Sequence, residues 1–186
     1  MLFVGTSLTA GLGLDPEEAF PQRVAELAAA SGDSIRVVNQ GLSGETSAGA
    51  LRRIDWLLRA PADVIVLETG ANDGLRGIDP DSTRANLAAI VQRVRAVQPR
   101  ARLVLVQMEA PPNLGPAYTR AFREMYPAVA REYGVPLVPF LLEGVAGKAE
   151  LNQPDGMHPS AAGARIVART VWGALRPVVR EVEGEG

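Results

Sequence analysis

The sequence predicts an α/β protein with an open, parallel, five-stranded sheet covered by helices on both faces. Two observations carry this. Short apolar runs at residues 2–5, 35–39, 64–67, 103–106 and 135–138 alternate with longer segments whose apolar residues have helical spacing. The run Val64-Ile65-Val66-Leu67 is apolar at every position, as expected of a parallel strand buried on both faces rather than a half-solvated one.

The elements follow in order. Leu2 to Gly5 is the first strand, and the small residues of 6–14 form a loop. Asp15-Pro16-Glu17-Glu18 combines an N-cap, a proline at the first helical position and two acids facing the helix dipole, so a helix is expected from there to about Ala30, with Phe20, Val24 and Leu27 on one stripe. Residues 35–39 form the second strand and 40–45 a loop. Thr46 or Ser47 then caps a helix carrying Leu51, Ile54, Leu57 and Leu58, which Pro61 ends. After the third strand comes a turn-rich loop, 69–74. Asp81 or Ser82 opens a helix with Leu87, Ile90, Val91, Val94 and Val97. Pro111, Pro112 and Pro116 stiffen the loop after the fourth strand, and a helix over 118–133 contains Pro127, where a kink or break is expected. Beyond the fifth strand, an irregular stretch leads to Asp155-Gly156-Met157-His158-Pro159, and Ser160 caps a last helix with Ile166, Val167, Val171 and Leu175.

With 186 residues, the chain suits one domain burying roughly 70% of its unfolded surface. Residues 1–180 are assigned to that domain, and 181–186 to an acidic, glycine-rich tail expected to fray. A net charge of −2 with dispersed arginines carries no electrostatic footprint for nucleic acid. The absence of cysteine removes disulfides, thiolate catalysis and cysteine zinc sites. No apolar run approaches the ~20 residues of a membrane span, so stable membrane insertion is not expected. As it stands the sequence suits a cytoplasmic protein, or a periplasmic or secreted one if a leader has been removed. Oligomeric state is open.

Open parallel sheets bind ligands beyond the carboxyl ends of their strands, which directs attention to the loops at 6–14, 40–45, 69–74 and 155–158. Taken singly, the residues there have ordinary explanations. His158 is a surface or cap histidine, Asp155 an Asx turn, Ser7 a loop serine, Asn72-Asp73-Gly74 a turn, and Gly41 and Gly44 backbone pivots. Together they place a nucleophile, a base and oxyanion donors on one edge of the sheet. His158 is the only histidine and the one side chain whose usual titration range suits proton transfer near neutrality. Asp155, three residues earlier, is spaced to hold one ring nitrogen while the other faces the cleft. Ser7 is then an activated nucleophile. The backbone N–H of Ser7, the backbone N–H of Gly44 and the Asn72 amide are the donors for the oxyanion.

Gly5-Thr6-Ser7-Leu8, Gly44 within Leu42-Ser43-Gly44-Glu45-Thr46, Gly70-Ala71-Asn72-Asp73, and Asp155-Gly156-Met157-His158-Pro159 resemble the four ordered blocks of the GDSL or SGNH hydrolases. Within that superfamily the chain looks most like the bacterial multifunctional esterases called thioesterase I, lysophospholipase L1 or arylesterase. The resemblance covers nearly the whole chain. It implies a three-layer, flavodoxin-like α/β/α fold with strand order 2-1-3-4-5, a triad of Ser7, Asp155 and His158, an oxyanion hole of Ser7, Gly44 and Asn72, and hydrolysis of esters or thioesters without a cofactor. In one place the chain departs from the pattern: the family usually has aspartate before the nucleophile, and here it is Thr6.

Leu75, Pro111 and Leu114 are candidates for an apolar wall against an acyl chain or aromatic alcohol; the plainer alternative is a loop that covers the core. Rival readings fit less of the chain. The G-x-S-x-G elbow of an α/β-hydrolase and the P-loop lysine are both missing. A metal hydrolase using Asp155, His158 and Asp73 would have only one histidine. A carbohydrate acetyl esterase, and a non-catalytic lipid- or carbohydrate-binding module on the same fold, remain as alternatives.

Overall fold

The uninterrupted apolar runs lie where burial on both faces places them. A computed structural model of the chain describes residues 1–184. In it β1 (Leu2–Gly5) and β3 (Val64–Leu67) are buried at every position and lie side by side. β2 (Val38–Gly41) pairs with the other edge of β1, while β4 (Arg102–Val106) and β5 (Leu137–Val138) extend the sheet beyond β3. The order is β2-β1-β3-β4-β5 and every pairing is parallel. The chain leaves β1 toward one side of the sheet and returns to its other side at β3. The point of reversal therefore lies between the carboxyl ends of β1 and β3, where crevices form in such sheets.

Seven helices flank the sheet among the described residues. α2 (Phe20–Ala30) packs on α7 (Ala161–Gly184), and α5 (Pro80–Val97) lies between α3 (Ser47–Leu57) and α6 (Pro116–Tyr133). The other two, α1 (Ser7–Ala10) and α4 (Ala71–Leu75), are single turns at the carboxyl ends of β1 and β3. Both fall in segments expected as loops, because so short a helix offers no apolar period to read.

Other boundaries differ for local reasons. The helix expected from Asp15 is split: residues 16–18 form a 3-10 turn, Asp15 makes no side-chain cap, and Ala19 is extended before α2 starts at Phe20. Pro21 has no N–H to give a preceding turn and fits only in a helix's first turn. The second strand begins at Val38 rather than residue 35, since its register is set by β1 (Leu2 opposite Val38, Gly5 opposite Gly41). Asp79, not Asp81 or Ser82, caps α5, its side chain accepting from Asp81 N–H with Pro80 at the first helical position. α6 is continuous from Pro116 through Pro127, so the expected break is absent. The fifth strand shortens to two residues. Thr46 and Ser160 cap α3 and α7, accepting from Gly49 and Gly163 respectively. Residues 181–184, expected to fray, continue α7; residues 185–186 of that tail lie outside the described residues.

Candidate active site

Ser7 is the first residue of α1, directly past the end of β1, and Thr6 caps that turn through its hydroxyl. From the far end of the chain, His158 places Nε2 2.9 Å from Ser7 Oγ. Its other ring nitrogen, Nδ1, lies 2.6 Å from Asp155 Oδ2. With Nδ1–H donating to the carboxylate, Nε2 is left to accept from the serine hydroxyl.

Asp155 does two things at once. Oδ1 accepts the amides of Met157 (2.9 Å) and His158 (3.0 Å), which makes the Asx turn, and Oδ2 holds the imidazole. The His158 N–H and ring, then the Met157 N–H, hold the Asp155 carboxyl down at about 2. Gln153, not singled out in the sequence, ties this loop to the first one: its N–H donates to His158 O (2.7 Å), and its side-chain amide to Leu12 O (2.7 Å) and Pro159 O (3.0 Å). A glutamine in an irregular stretch gives no sequence signal for that role.

The oxyanion candidates come from the loops after β2 and β3. Gly44 has φ +78°, a backbone that an L side chain adopts only with strain. Arg76 donates from Nη2 to Gly44 O at 3.0 Å, and Asn72 donates from Nδ2 to Glu45 O at 2.9 Å, so the two loops are tied together. The Asn72 amide keeps a second hydrogen. Its neighbour Asp73 turns into the interior and accepts from Ser47 N–H (2.8 Å), Ser47 Oγ (2.5 Å) and Thr83 Oγ1 (3.2 Å), locking α3 and α5 to this turn. Asp73 is thereby committed to the Ser47 amide and the two hydroxyls.

Glu45 forms an ion pair with Arg53 (2.5 Å), whose Nη2 also reaches Gln40 O (2.8 Å). A cleft of about 520 Å³ opens over Ser7 and His158, lined by Gly44 and Asn72 and walled by Leu8, Leu12, Leu75, Met108, Pro111 and Phe140. Leu75 and Pro111 thus line the same cleft as Ser7 and His158. Leu114 does not line the cleft: it ends the 3-10 turn 112–114 and faces Gly77 instead.

The fold and this array define a class of hydrolytic enzyme, with serine, histidine and aspartate in line at the carboxyl edge of a parallel sheet. Within that class, the chain belongs to the GDSL-like lipase/acylhydrolase family, whose model matches residues 3–166. It is 42% identical to the esterase TesA of Pseudomonas aeruginosa over 181 residues, 96% of this chain and 89% of that protein. It is 38% identical to the thioesterase 1/protease 1/lysophospholipase L1 of Escherichia coli K12 over 181 residues, 96% of this chain and 84% of that protein. Among solved structures, the psychrotrophic esterase EstA of Pseudoalteromonas, inhibited by monoethylphosphonate, superposes with a TM-score of 0.89 at 32% identity, covering 96% of this chain and 97% of that one. No helix among the described residues is long and apolar enough to cross a membrane.

Proposed function

We propose that the chain hydrolyses small-molecule carboxylic esters or thioesters through an acyl-enzyme, with Ser7 as nucleophile, residues 1–180 acting as one hydrolase domain and no cofactor taking part. The observation that carries this is the line Asp155–His158–Ser7, with contacts of 2.6 and 2.9 Å. As Ser7 Oγ attacks the carbonyl carbon, His158 Nε2 takes its proton, and Asp155 stabilises the imidazolium. The negative charge that forms on the former carbonyl oxygen meets the amides of Ser7 and Gly44 and the free hydrogen of Asn72. His158 then returns the proton to the departing alcohol or thiol, and water repeats the sequence to release the acid. The EstA relative is inhibited by a phosphonate, and a tetrahedral phosphorus centre resembles the intermediate in this scheme.

The apolar walls favour an acyl chain or aromatic group over a sugar, which ranks acyl and aryl esters, acyl thioesters and lysophospholipids above acetylated carbohydrates. Two experiments test the reading. Ser7→Ala should abolish hydrolysis of a short p-nitrophenyl ester; a parental rate in that variant would refute the mechanism, and absence of hydrolysis by the parental chain would favour a binding module. A panel of acyl esters, thioesters and acetyl-xylan should show preference for the acyl substrates; preference for acetyl-xylan would move the assignment to a carbohydrate acetyl esterase.

A further inference from the structure

Directly beneath the nucleophile lies a carboxylate that the proposed reaction does not use. Glu68 follows the last residue of β3 and is 1% exposed. It accepts from Thr6 N–H (2.8 Å), from the Thr6 hydroxyl (3.0 Å to each oxygen) and from the Thr9 hydroxyl (2.8 Å). Thr6 and Thr9 stand on either side of Ser7 and are themselves fully buried. Gly5 makes room for the cluster: a Cβ there would stand 2.0 Å from Thr9 Oγ1 and 2.7 Å from Glu68 Oε2.

The groups packed around Glu68 include no free cation among the described residues. Tyr126 of α6 faces it, with its hydroxyl donated to Thr69 O (2.9 Å), and Asp73 of α4 lies near Tyr126. Arg53 of α3 reaches Gly5 O at 3.4 Å but is ion-paired with Glu45, and Asn39 of β2 donates to Thr9 O at 2.7 Å.

We propose that Glu68 is a positioning residue: through Thr6 and Thr9 its ionised carboxylate fixes the turn that aims the Ser7 hydroxyl and amide. The inference rests on Ser7 being the nucleophile. An ionised carboxylate only accepts, and it suits the three donor groups directed at it. A protonated one adds a fourth donor in a buried space, so a threonine hydroxyl must turn away and the Ser7 turn loses a tether. Burial pushes the Glu68 carboxyl up to about 7 against the pull of those donors, so the change falls within the working range of a histidine base. The same geometry gives Thr6 a role. Its hydroxyl supplies a hydrogen to Glu68 without setting a second negative charge beside it, whereas an aspartate there would have to carry a proton to make the same bond.

The test is the pH dependence of kcat and kcat/KM on a short p-nitrophenyl ester for the parental enzyme, Glu68→Gln, Thr6→Ser and Thr6→Val, with folding checked by circular dichroism and thermal melting. The parental acid limb of kcat/KM should fall with two protons, one of them on Glu68. Glu68→Gln imitates the protonated acid. It should lower kcat by about 10- to 100-fold with KM nearly unchanged, and leave a one-proton limb. Thr6→Ser should resemble the parent, and Thr6→Val should move the limb to higher pH because the carboxylate loses a donor.

A one-proton parental limb overturns the proposal. So does a folded Glu68→Gln variant with the parental profile, or one that is slower by the same factor at every pH. If Glu68→Gln does not fold, the Thr6 pair decides, and identical limbs in the serine and valine variants overturn it. An active Ser7→Ala variant would instead sink the assignment of Ser7 as nucleophile, which keeps the two failures apart.

Discussion

Glu68 Oε2 lies 2.8 Å from the amide of Thr6 and 2.8 Å from the hydroxyl of Thr9, so one buried carboxylate grips the chain on both sides of Ser7. Its ordinary value of 4.5 rises to about 7 in the folded protein. Between those values the folded state binds more protons than the unfolded one. This contribution to stability is therefore complete below the unfolded value and is lost as pH rises through about 7, about 3 kcal/mol in all. Chemical denaturation at pH 5 and pH 8 should show stability falling by that order for the parent, with the slope reduced in Glu68→Gln.

His158 has no second histidine to replace it. His158→Ala should accordingly lose nearly as much activity as Ser7→Ala, and the double variant little more than either, because the pair acts as a unit. Steady-state kinetics on the three variants checks this, and additive losses would contradict it.

Asp155 is held at about 2 by the His158 and Met157 amides and the imidazole. A depressed carboxyl contributes above its unfolded value and loses that contribution only as pH falls through about 2, so Asp155 should stay ionised across the assay range and add nothing to the acid limb. Asp155→Asn should lower kcat by roughly 10⁴-fold, since an amide can retain the turn yet present the wrong group to the imidazole. A rate within a few fold of the parent would count against the orienting role.

Asn72 gives one amide hydrogen to Glu45 O and is proposed to direct the other at the oxyanion. Asn72→Ala should reduce kcat by about 10²- to 10³-fold with KM little altered. A rise in KM at constant kcat would show that Asn72 binds the ground state instead.

Leu75 is half exposed at the lip of the cleft, and Pro111 forms part of its wall. Leu75→Ala should weaken discrimination among acyl chains by about 1 kcal/mol or more between short and medium lengths, an order set by the apolar area removed. Leu114→Ala, away from the cleft, should leave the chain-length profile in place. An unchanged profile in Leu75→Ala would remove that residue from the acyl site.

Much of the fold was legible because parallel strands in this chain are continuous apolar runs, and because Thr46 and Ser160 stand at genuine helix starts. The edge strand β2 starts three residues and ends two residues later than expected, since burial does not mark it: its residues are exposed or half-buried, and pairing with β1 alone sets its register. α1 and α4 were invisible for lack of length. Glu68 gave a faint signal, an acid abutting the run Val64–Leu67, whereas Asp73 reads as part of an ordinary turn and is buried.

The sequence by itself determined the alternation of strands and helices, the four blocks and the kinds of group they offer: a hydroxyl, an amide, an imidazole and a carboxylate. Asp155 and His158 belong to this local information, because a three-residue turn can bring them together on its own. Ser7 and His158 are 151 residues apart, and their 2.9 Å contact exists only because the strand order brings both loops to one edge of the sheet. Tertiary packing likewise decided that Leu114 would miss the cleft and that Asp73 would turn inward. It also set Glu68 under the nucleophile with Thr6 and Thr9 to solvate it, since burial and long-range hydrogen bonding depend on which segments meet, and periodicity along the chain carries no record of that.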